Sequence, residues 1–291
     1  MIYTKIEYDS TNWDKNYKKI KEWAITEKVH GANFSFVYTT SSNTINFAKR
    51  NCILKEDDVF FGYRSILPST LQKIENIIKE IKDVKEKITD INTISIFGEL
   101  FGKDVQSGIF YSNDIHFYAF DIGIKLNDGT TFYLDFSISL NIFKNANILY
   151  AKPLKIVNSY QKATEYNIYF NSTIPKLLNK SIDTPNLAEG IVIRSMSGRY
   201  ISKIKIKEFT ENVEIFDNNS YLPSKLDSYI IGAKNHMTRN RFNCAISKVG
   251  TFEDNKDEIY NLYINDILSE INGFGVDGLY EWIYENKDIF F

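Results

Sequence analysis

The spacing of apolar positions changes once along the chain. Through about residue 210, apolar residues come in short runs with the two-residue alternation of half-buried strands, and turn residues separate the runs. Glu22–Glu27 and Asn33–Thr40 read as strands, with Lys28-Val29-His30-Gly31 between them. Ile45–Ala48 follows the turn Ser41-Ser42-Asn43. Ile94–Leu100, His116–Ile122 and Thr131–Phe136 read as further strands, and Asp128-Gly129 marks a hairpin turn between the last two. Gly190–Arg194 and Arg199–Ile206 form another hairpin, turning at Ser197-Gly198. One helix interrupts the series: Leu71, Ile74, Ile77, Ile78, Ile81 and Val84 recur at helical spacing, and Pro68 with Ser69 suits its start.

After about residue 212 the period becomes helical. Leu226–Ala233, Arg239–Val249 and Asp257–Ile271 read as helices, and Asp217-Asn218-Asn219-Ser220 as a linker. The prediction is an α+β chain with two domains: residues 1–214, built of mostly antiparallel strands with flanking helices, and a small helical domain over 215–291.

Composition narrows the function classes. Apolar residues make up 43% of the 291 and charged residues 25%, ordinary for a water-soluble globular protein. A formal net charge of -2 excludes a polybasic chain, so any nucleic-acid partner must be held by a local basic surface. Cys52 and Cys244 are too few for a disulfide framework, and His30, His116 and His236 lie too far apart for zinc-ligand spacing. Two reduced thiols in a reducing compartment are expected, with a cytoplasmic location. No signal-peptide h-region opens the chain, and no apolar run is long enough to cross a bilayer. The expected oligomeric state is a monomer.

The candidate chemistry lies in a series of short strings. Glu27-Lys28-Val29-His30-Gly31-Ala32-Asn33-Phe34 sets a lysine between two strands, with Gly31 allowing a tight turn close to a ligand. Phe47-Ala48-Lys49-Arg50 closes a strand with two cations. Phe97-Gly98-Glu99-Leu100-Phe101-Gly102 places a carboxylate between two glycines, which packing alone does not readily explain. Phe117-Tyr118-Ala119-Phe120-Asp121-Ile122 sets an aromatic beside an acid. Glu189-Gly190-Ile191-Val192-Ile193-Arg194 opens a strand with an acid. Lys203-Ile204-Lys205-Ile206-Lys207 alternates cations, so a continuous strand would carry all three on one face. Each string alone also reads as a solvated acid, a core aromatic or a solvated lysine face. Their fixed order is what carries information.

Together the strings resemble the six motifs of the covalent nucleotidyltransferases, which comprise DNA ligases, RNA ligases and mRNA capping enzymes. The chain is most similar to the RNA ligase 2 branch, which includes the RNA-editing ligases. Its nucleophile motif has His30 where DNA ligases and capping enzymes usually carry Asp. Phe-Gly-Glu-Leu-Phe-Gly is followed by Gly108-Ile109-Phe110-Tyr111, and Lys203-Ile204-Lys205 is trailed by Phe209 and Glu211. The resemblance covers residues 22–211. It extends weakly into the tail through Arg239-Asn240-Arg241-Phe242-Asn243 and Ser247-Lys248-Val249-Gly250. Ala32 departs from the family's frequent Thr, Arg194 from its Lys, and residues 141–188 match nothing.

The resemblance implies a nucleotidyltransferase (adenylation) domain and an ATP-dependent RNA ligase. Lys28 would take AMP from ATP, pass it to an RNA 5′-phosphate, and a 3′-OH would then displace it, most naturally at a nick in a duplex. A lysine with a pKa of about 10.4 must first lose its proton, which nearby cations or burial promote. Lys203, Lys205 and Mg²⁺ (or Mn²⁺) are the implied cations. Glu189 would hold the metal, Lys203 and Lys205 grip the α-phosphate, Phe120 stack on adenine and Glu99 accept from the ribose. Asn33 and Arg50 would contact the ribose or the 5′-phosphate strand, and His30 would act after the lysyl-AMP forms. Glu27 and Val29 would join the nucleotide site, with Glu27 and Asp121 supporting rather than reacting. Arg239, Arg241 and Lys248 are candidate phosphate contacts of the tail. Two other readings stand beside this one. A DNA ligase or GTP-using capping enzyme shares the lysine but usually adds a β-barrel after the last motif. A non-catalytic RNA-binding descendant would form no lysyl adenylate.

Overall fold

The computed structural model describes residues 3, 6, 8–84, 90–182, 184–209 and 225–287. The chain divides into two compact units, Met1–Ile206 and Lys207–Phe291. The boundary expected near residue 214 and the linker at 217–220 lie outside the described residues.

The first unit holds two antiparallel sheets. One has four strands in the order β7-β1-β8-β9: β1 (Trp23–Glu27), β7 (Pro153–Val157), β8 (Gly190–Ser195) and β9 (Ile201–Lys205). The other has five in the order β3-β2-β4-β5-β6: β2 (Ala32–Thr39), β3 (Thr44–Lys49), β4 (Ile91–Phe101), β5 (His116–Leu126) and β6 (Thr131–Tyr133). The strands flanking Lys28 are therefore not a hairpin. The chain leaves one sheet at Glu27 and enters the other at Ala32.

Helix α1 (Leu67–Val84) buries Ile74, Ile77, Ile78 and Ile81, the stripe its periodicity predicts. Each such isoleucine contributes about 1.5–3 kcal/mol by leaving water. Three further helices are α2 (Phe136–Asn145), α3 (Tyr160–Thr164) and α4 (Ile174–Leu177). The strand expected to run to Phe136 stops at Tyr133, and Phe136 opens α2. Trp23, Ile25, Ile191 and Ile193 of the four-stranded sheet form a core with Ala163 of α3, against which Trp13, Tyr17, Tyr160 and Tyr200 pack. A buried cation ties the two sheets: Arg194 of β8 donates from Nη1 to the carbonyl of Phe120 on β5 at 2.6 Å and lies 4.4 Å over the Phe136 ring.

The second unit is helical: α5 (Lys225–His236), α6 (Arg239–Val249), α7 (Lys256–Glu270) and α8 (Leu279–Glu285). Thr238 caps α6 by accepting the Arg241 N–H. The unit has its own core, including Met237, Phe242, Ala245, Ile259, Tyr263, Ile264, Ile267, Leu279 and Ile283. Arg241 is 2% exposed and paired with Asp266 and Glu270, so it holds helices together and is not a free phosphate contact. Arg239 is exposed and Lys248 partly so. Among the described residues, no helix is long and apolar enough to cross a membrane.

Candidate active site

The sheet-to-sheet crossover brings the predicted lysine against the predicted acid. Lys28 donates its backbone N–H to the Gly190 carbonyl at 3.0 Å, extending the β1–β8 pairing by one residue. That pairing sets Lys28 beside Glu189, and Nζ to Oε2 is 2.6 Å. On the other side of β8, Gly190 pairs with Lys205 of β9, and Lys205 Nζ lies 3.1 Å from Glu189 Oε1. His30 Nδ1 is 3.3 Å from Oε2. One carboxylate thus receives two ammonium groups and an imidazole. Burial by itself raises the pKa of Glu189, but Lys28, His30 and Lys205 overcome it and hold the carboxyl well below its usual range.

The second sheet supplies the opposite wall. Asn33 of β2 pairs with Glu99 of β4, so both side chains stand on one face. Burial pushes the Glu99 carboxyl up to about 7; Lys28, Arg50 and Lys205 pull it down, and Glu189 pushes it up. Arg50 and both lysines thus lie within electrostatic reach of Glu99. A carboxylate such as Glu189 is a donor that suits a divalent ion of the magnesium kind. Such an ion takes one or two carboxylates and completes its shell with water and phosphate. Among the described residues no group of three or more His, Cys, Asp and Glu side chains could hold a metal without the nucleotide.

Several residues differ from expectation. Glu27 is buried, and its carboxylate accepts hydrogen bonds from the Ser172 hydroxyl, the Thr173 hydroxyl and the Thr173 N–H. Its side chain therefore shapes the site from behind and is not open to a nucleotide. The Val29 side chain, 5% exposed, is likewise packed in the interior. Lys203 lies on β9 with its Nζ 4.3 Å over the Tyr8 ring. Lys207 does not share the face of Lys203 and Lys205, because β9 ends at Lys205 and Lys207 opens a 3₁₀ turn in the second unit. Phe120 is partly exposed and meets the Tyr3 ring edge-on at 4.9 Å. Asp121 is buried and takes the Tyr3 hydroxyl at 2.9 Å and Arg199 at 2.8 Å, a supporting role.

The glycines have packing reasons. A Cβ on Gly31 would sit 2.1 Å from the Leu100 carbonyl oxygen, so the backbone there closely approaches β4. One on Gly98 would meet the Phe117 ring at 2.3 Å, and one on Gly102 the Asp114 carbonyl at 2.1 Å. Protein contacts alone account for the pair around Glu99.

Four neighbouring residues had no role in the sequence reading. Tyr111, buried, accepts the His30 N–H on its hydroxyl at 2.9 Å. Ser172 and Thr173 hold Glu27, and Asn186 clamps the backbone of Phe110. Only Tyr111 stood in a quoted motif. The others fall in or beside the segment that matched nothing.

The family model described as RNA ligase matches residues 21–207. The chain is 28% identical to the mitochondrial RNA-editing ligase 2 of Trypanosoma brucei brucei, over 86% of this chain and 76% of that protein. It is 27% identical to mitochondrial RNA-editing ligase 1 of the same organism, over 60% and 45%. Among solved structures, a Naegleria gruberi RNA ligase variant with ATP and Mn superposes with a TM-score of 0.53 at 16% identity, covering 72% of this chain and 57% of that one. The chain thus spans about half the length of the second editing ligase and of the Naegleria protein; the latter likeness shows a shared nucleotidyltransferase fold. The chain belongs to the RNA ligase family, the ATP-dependent RNA-joining enzymes.

Proposed function

We propose that the protein joins an RNA 3′-OH to a 5′-phosphate by three in-line transfers, with Lys28 as the nucleophile. The unprotonated Nζ attacks the α-phosphorus of ATP; a P–N bond forms, the bond to the bridging oxygen breaks, and pyrophosphate leaves. A 5′-phosphate oxygen of the RNA then attacks the same phosphorus, and the P–N electron pair returns to Lys28. Finally the 3′-OH gives up its proton and attacks the 5′-phosphate phosphorus, making the phosphodiester and releasing AMP. Positioning and charge neutralisation supply most of the catalysis of such displacements.

The observation that carries this reading is the 2.6 Å contact between Lys28 and Glu189, with Lys205 on the acid's other oxygen. At rest Lys28 is ion-paired with Glu189, and it must leave that contact before attack. Mg²⁺ or Mn²⁺, when bound, would supply positive charge at the α-phosphate, and Glu189 would hold it. Lys205 and Lys203 grip the α-phosphate. Glu99 accepts from the ribose, Phe120 stacks on adenine, and Arg50 with Asn33 reaches the ribose or the incoming strand. His30, fixed by Tyr111 and Glu189, acts after the adenylate has formed. The two units divide the work between adenylyl transfer and engagement of the duplex around a nick, with Arg239 and Lys248 as phosphate contacts. The protein acts as a monomer, with RNA on the 3′-OH side of the break. A cytoplasmic setting fits its two free thiols, although both editing ligases named above are mitochondrial.

The test is incubation with ATP or GTP and Mg²⁺, followed by peptide mass mapping and sealing of nicked duplexes with RNA or DNA on each side. An adenylate on Lys28, absent from Lys28→Ala, is expected, with sealing that requires RNA on the 3′-OH side. Labelling by GTP in preference to ATP, or a modified Lys28→Ala protein, overturns the reading.

A further inference from the structure

We infer that Phe110 is a stacking platform for a nucleobase of the RNA being joined, an inference that rests on the RNA-joining reading above. Phe110 is half exposed, while its neighbours Ile109 and Tyr111 are buried at 8% and 2%. A single exposed phenyl is ordinary on a protein surface. What distinguishes this one is how it is held. Both of its backbone polar groups are taken by one buried side chain: its N–H donates to Asn186 Oδ1 at 2.9 Å, and its carbonyl accepts from Asn186 Nδ2 at 2.7 Å. Asn186 is itself fixed on both sides, donating its N–H to Asn171 Oδ1 at 3.0 Å and accepting the Ser172 N–H at 2.8 Å. Tyr111 packs edge-on against Phe101 at 5.2 Å, and Phe101 stacks on His116 at 5.5 Å. The backbone that carries the ring is therefore anchored by Asn186 and by the packing of Tyr111.

The place of the ring matters as much as its fixation. It is one residue from Tyr111, which takes the His30 N–H, and its clamp is three residues before Glu189. A rigid aromatic at the edge of a site that works on RNA meets the one surface every base presents, its π-face. The exposed Lys180 lies within electrostatic reach of His116, beside the same anchored segment, and offers a cation to the strand's phosphate. The ligand is thus an unstacked or terminal nucleotide of the RNA.

The test uses the full chain with Phe110→Ala, Phe110→Tyr and Phe110→Trp. Lysyl-adenylate formation is followed by mass spectrometry, and sealing rates are measured against RNA concentration. Phe110→Ala should raise KM for the RNA by roughly 5- to 150-fold, the usual value of one base–aromatic stack, with kcat at saturation little changed. Tyr and Trp should restore it, and the emission of the introduced Trp should be quenched by nicked RNA but not by ATP. An unchanged KM in Phe110→Ala overturns the assignment. So does a loss of adenylate formation in that variant, which would place the ring at ATP or in the fold. Absence of any adenylate in the unmodified protein defeats the ligase reading itself and is a separate outcome.

Discussion

Replacing Glu99 should make the protein more stable while it loses activity. Its carboxyl has moved from 4.5 to about 7, chiefly because burial disfavours the charged form. The folded chain therefore holds a proton that the unfolded chain releases between those values. Stability linked to this proton is fully present below about pH 4.5 and lost as pH rises through 7. At roughly 1.4 kcal/mol per pKa unit, the loss reaches at most about 3 kcal/mol. Glutamine has the shape of the neutral acid and cannot ionise. Glu99→Gln should therefore melt with the wild type at pH 4.5 and above it at pH 8. For a protein of this size about 1 kcal/mol moves Tm by roughly 2–4 °C, so the gain at pH 8 reaches about 10 °C. Thermal unfolding without nucleotide and with a chelator, plotted as the difference in Tm against pH, reads the effect directly; groups common to both proteins largely cancel. The same variant should form lysyl-adenylate slowly, because the ribose loses an ionic acceptor. A Tm difference that stays flat from pH 4.5 to 8 would refute the reasoning, for it would mean that the carboxyl titrates as it does in water.

Tyr111→Phe removes the acceptor of the buried His30 N–H, which costs about 1–3 kcal/mol and loosens His30 against Glu189. Urea unfolding should show the loss, and single-turnover sealing should slow with KM for ATP unchanged; wild-type sealing would mean that Tyr111 does not position His30. Arg194→Met strips the hydrogen bond from the Phe120 carbonyl and the cation from the Phe136 ring, for a loss of about 2–3 kcal/mol read from the urea midpoint. A midpoint shift below about 0.5 kcal/mol would show that the two sheets do not depend on this tie.

What was legible in the sequence follows from the range of the forces involved. The Ile74, Ile77, Ile78, Ile81 stripe and the alternating strands around Phe34 and Phe36 are local patterns, and they became α1 and β2. Helix α2 was hidden because one of its fully buried positions is Ser139, which breaks the apolar stripe, and because Thr131–Tyr133 just before it are good strand formers. Strand β7 was hidden because it is an edge that begins with proline and is only half covered. In the site, residues with unusual chemistry in a fixed order could be found. The groups that hold them could not. Tyr111 reaches His30 across 81 residues, Thr173 reaches Glu27 across 146, and Arg194 reaches Phe120 across 74. Each of these bonds uses a side chain on one partner and a backbone group or a different type of side chain on the other. No periodicity marks such a pair. The glycines failed in the opposite sense. They stood out as unusual, yet what demands them is a neighbouring strand's carbonyl or ring.

The net charge of -2 looked unfavourable for a protein that handles ATP and RNA. The site removes the difficulty by separating the states of its two acids. Glu189, clasped by Lys28, His30 and Lys205, stays ionised and serves as the standing partner of both lysines. Glu99, within electrostatic reach of them, has a carboxyl pushed up to about 7 by burial. On the proposed reading, a triphosphate arriving there would meet Lys28, Lys205 and Arg50 against one ionised carboxylate, a positive field in a part-buried site where charges are poorly screened. Were Glu99 to titrate like an exposed acid, a second full negative charge would face the phosphates and cancel much of that attraction. Burial of one carboxyl therefore does two things at once: it destabilises the ionised fold, and it keeps the cleft cationic at the pH where nucleotide must bind.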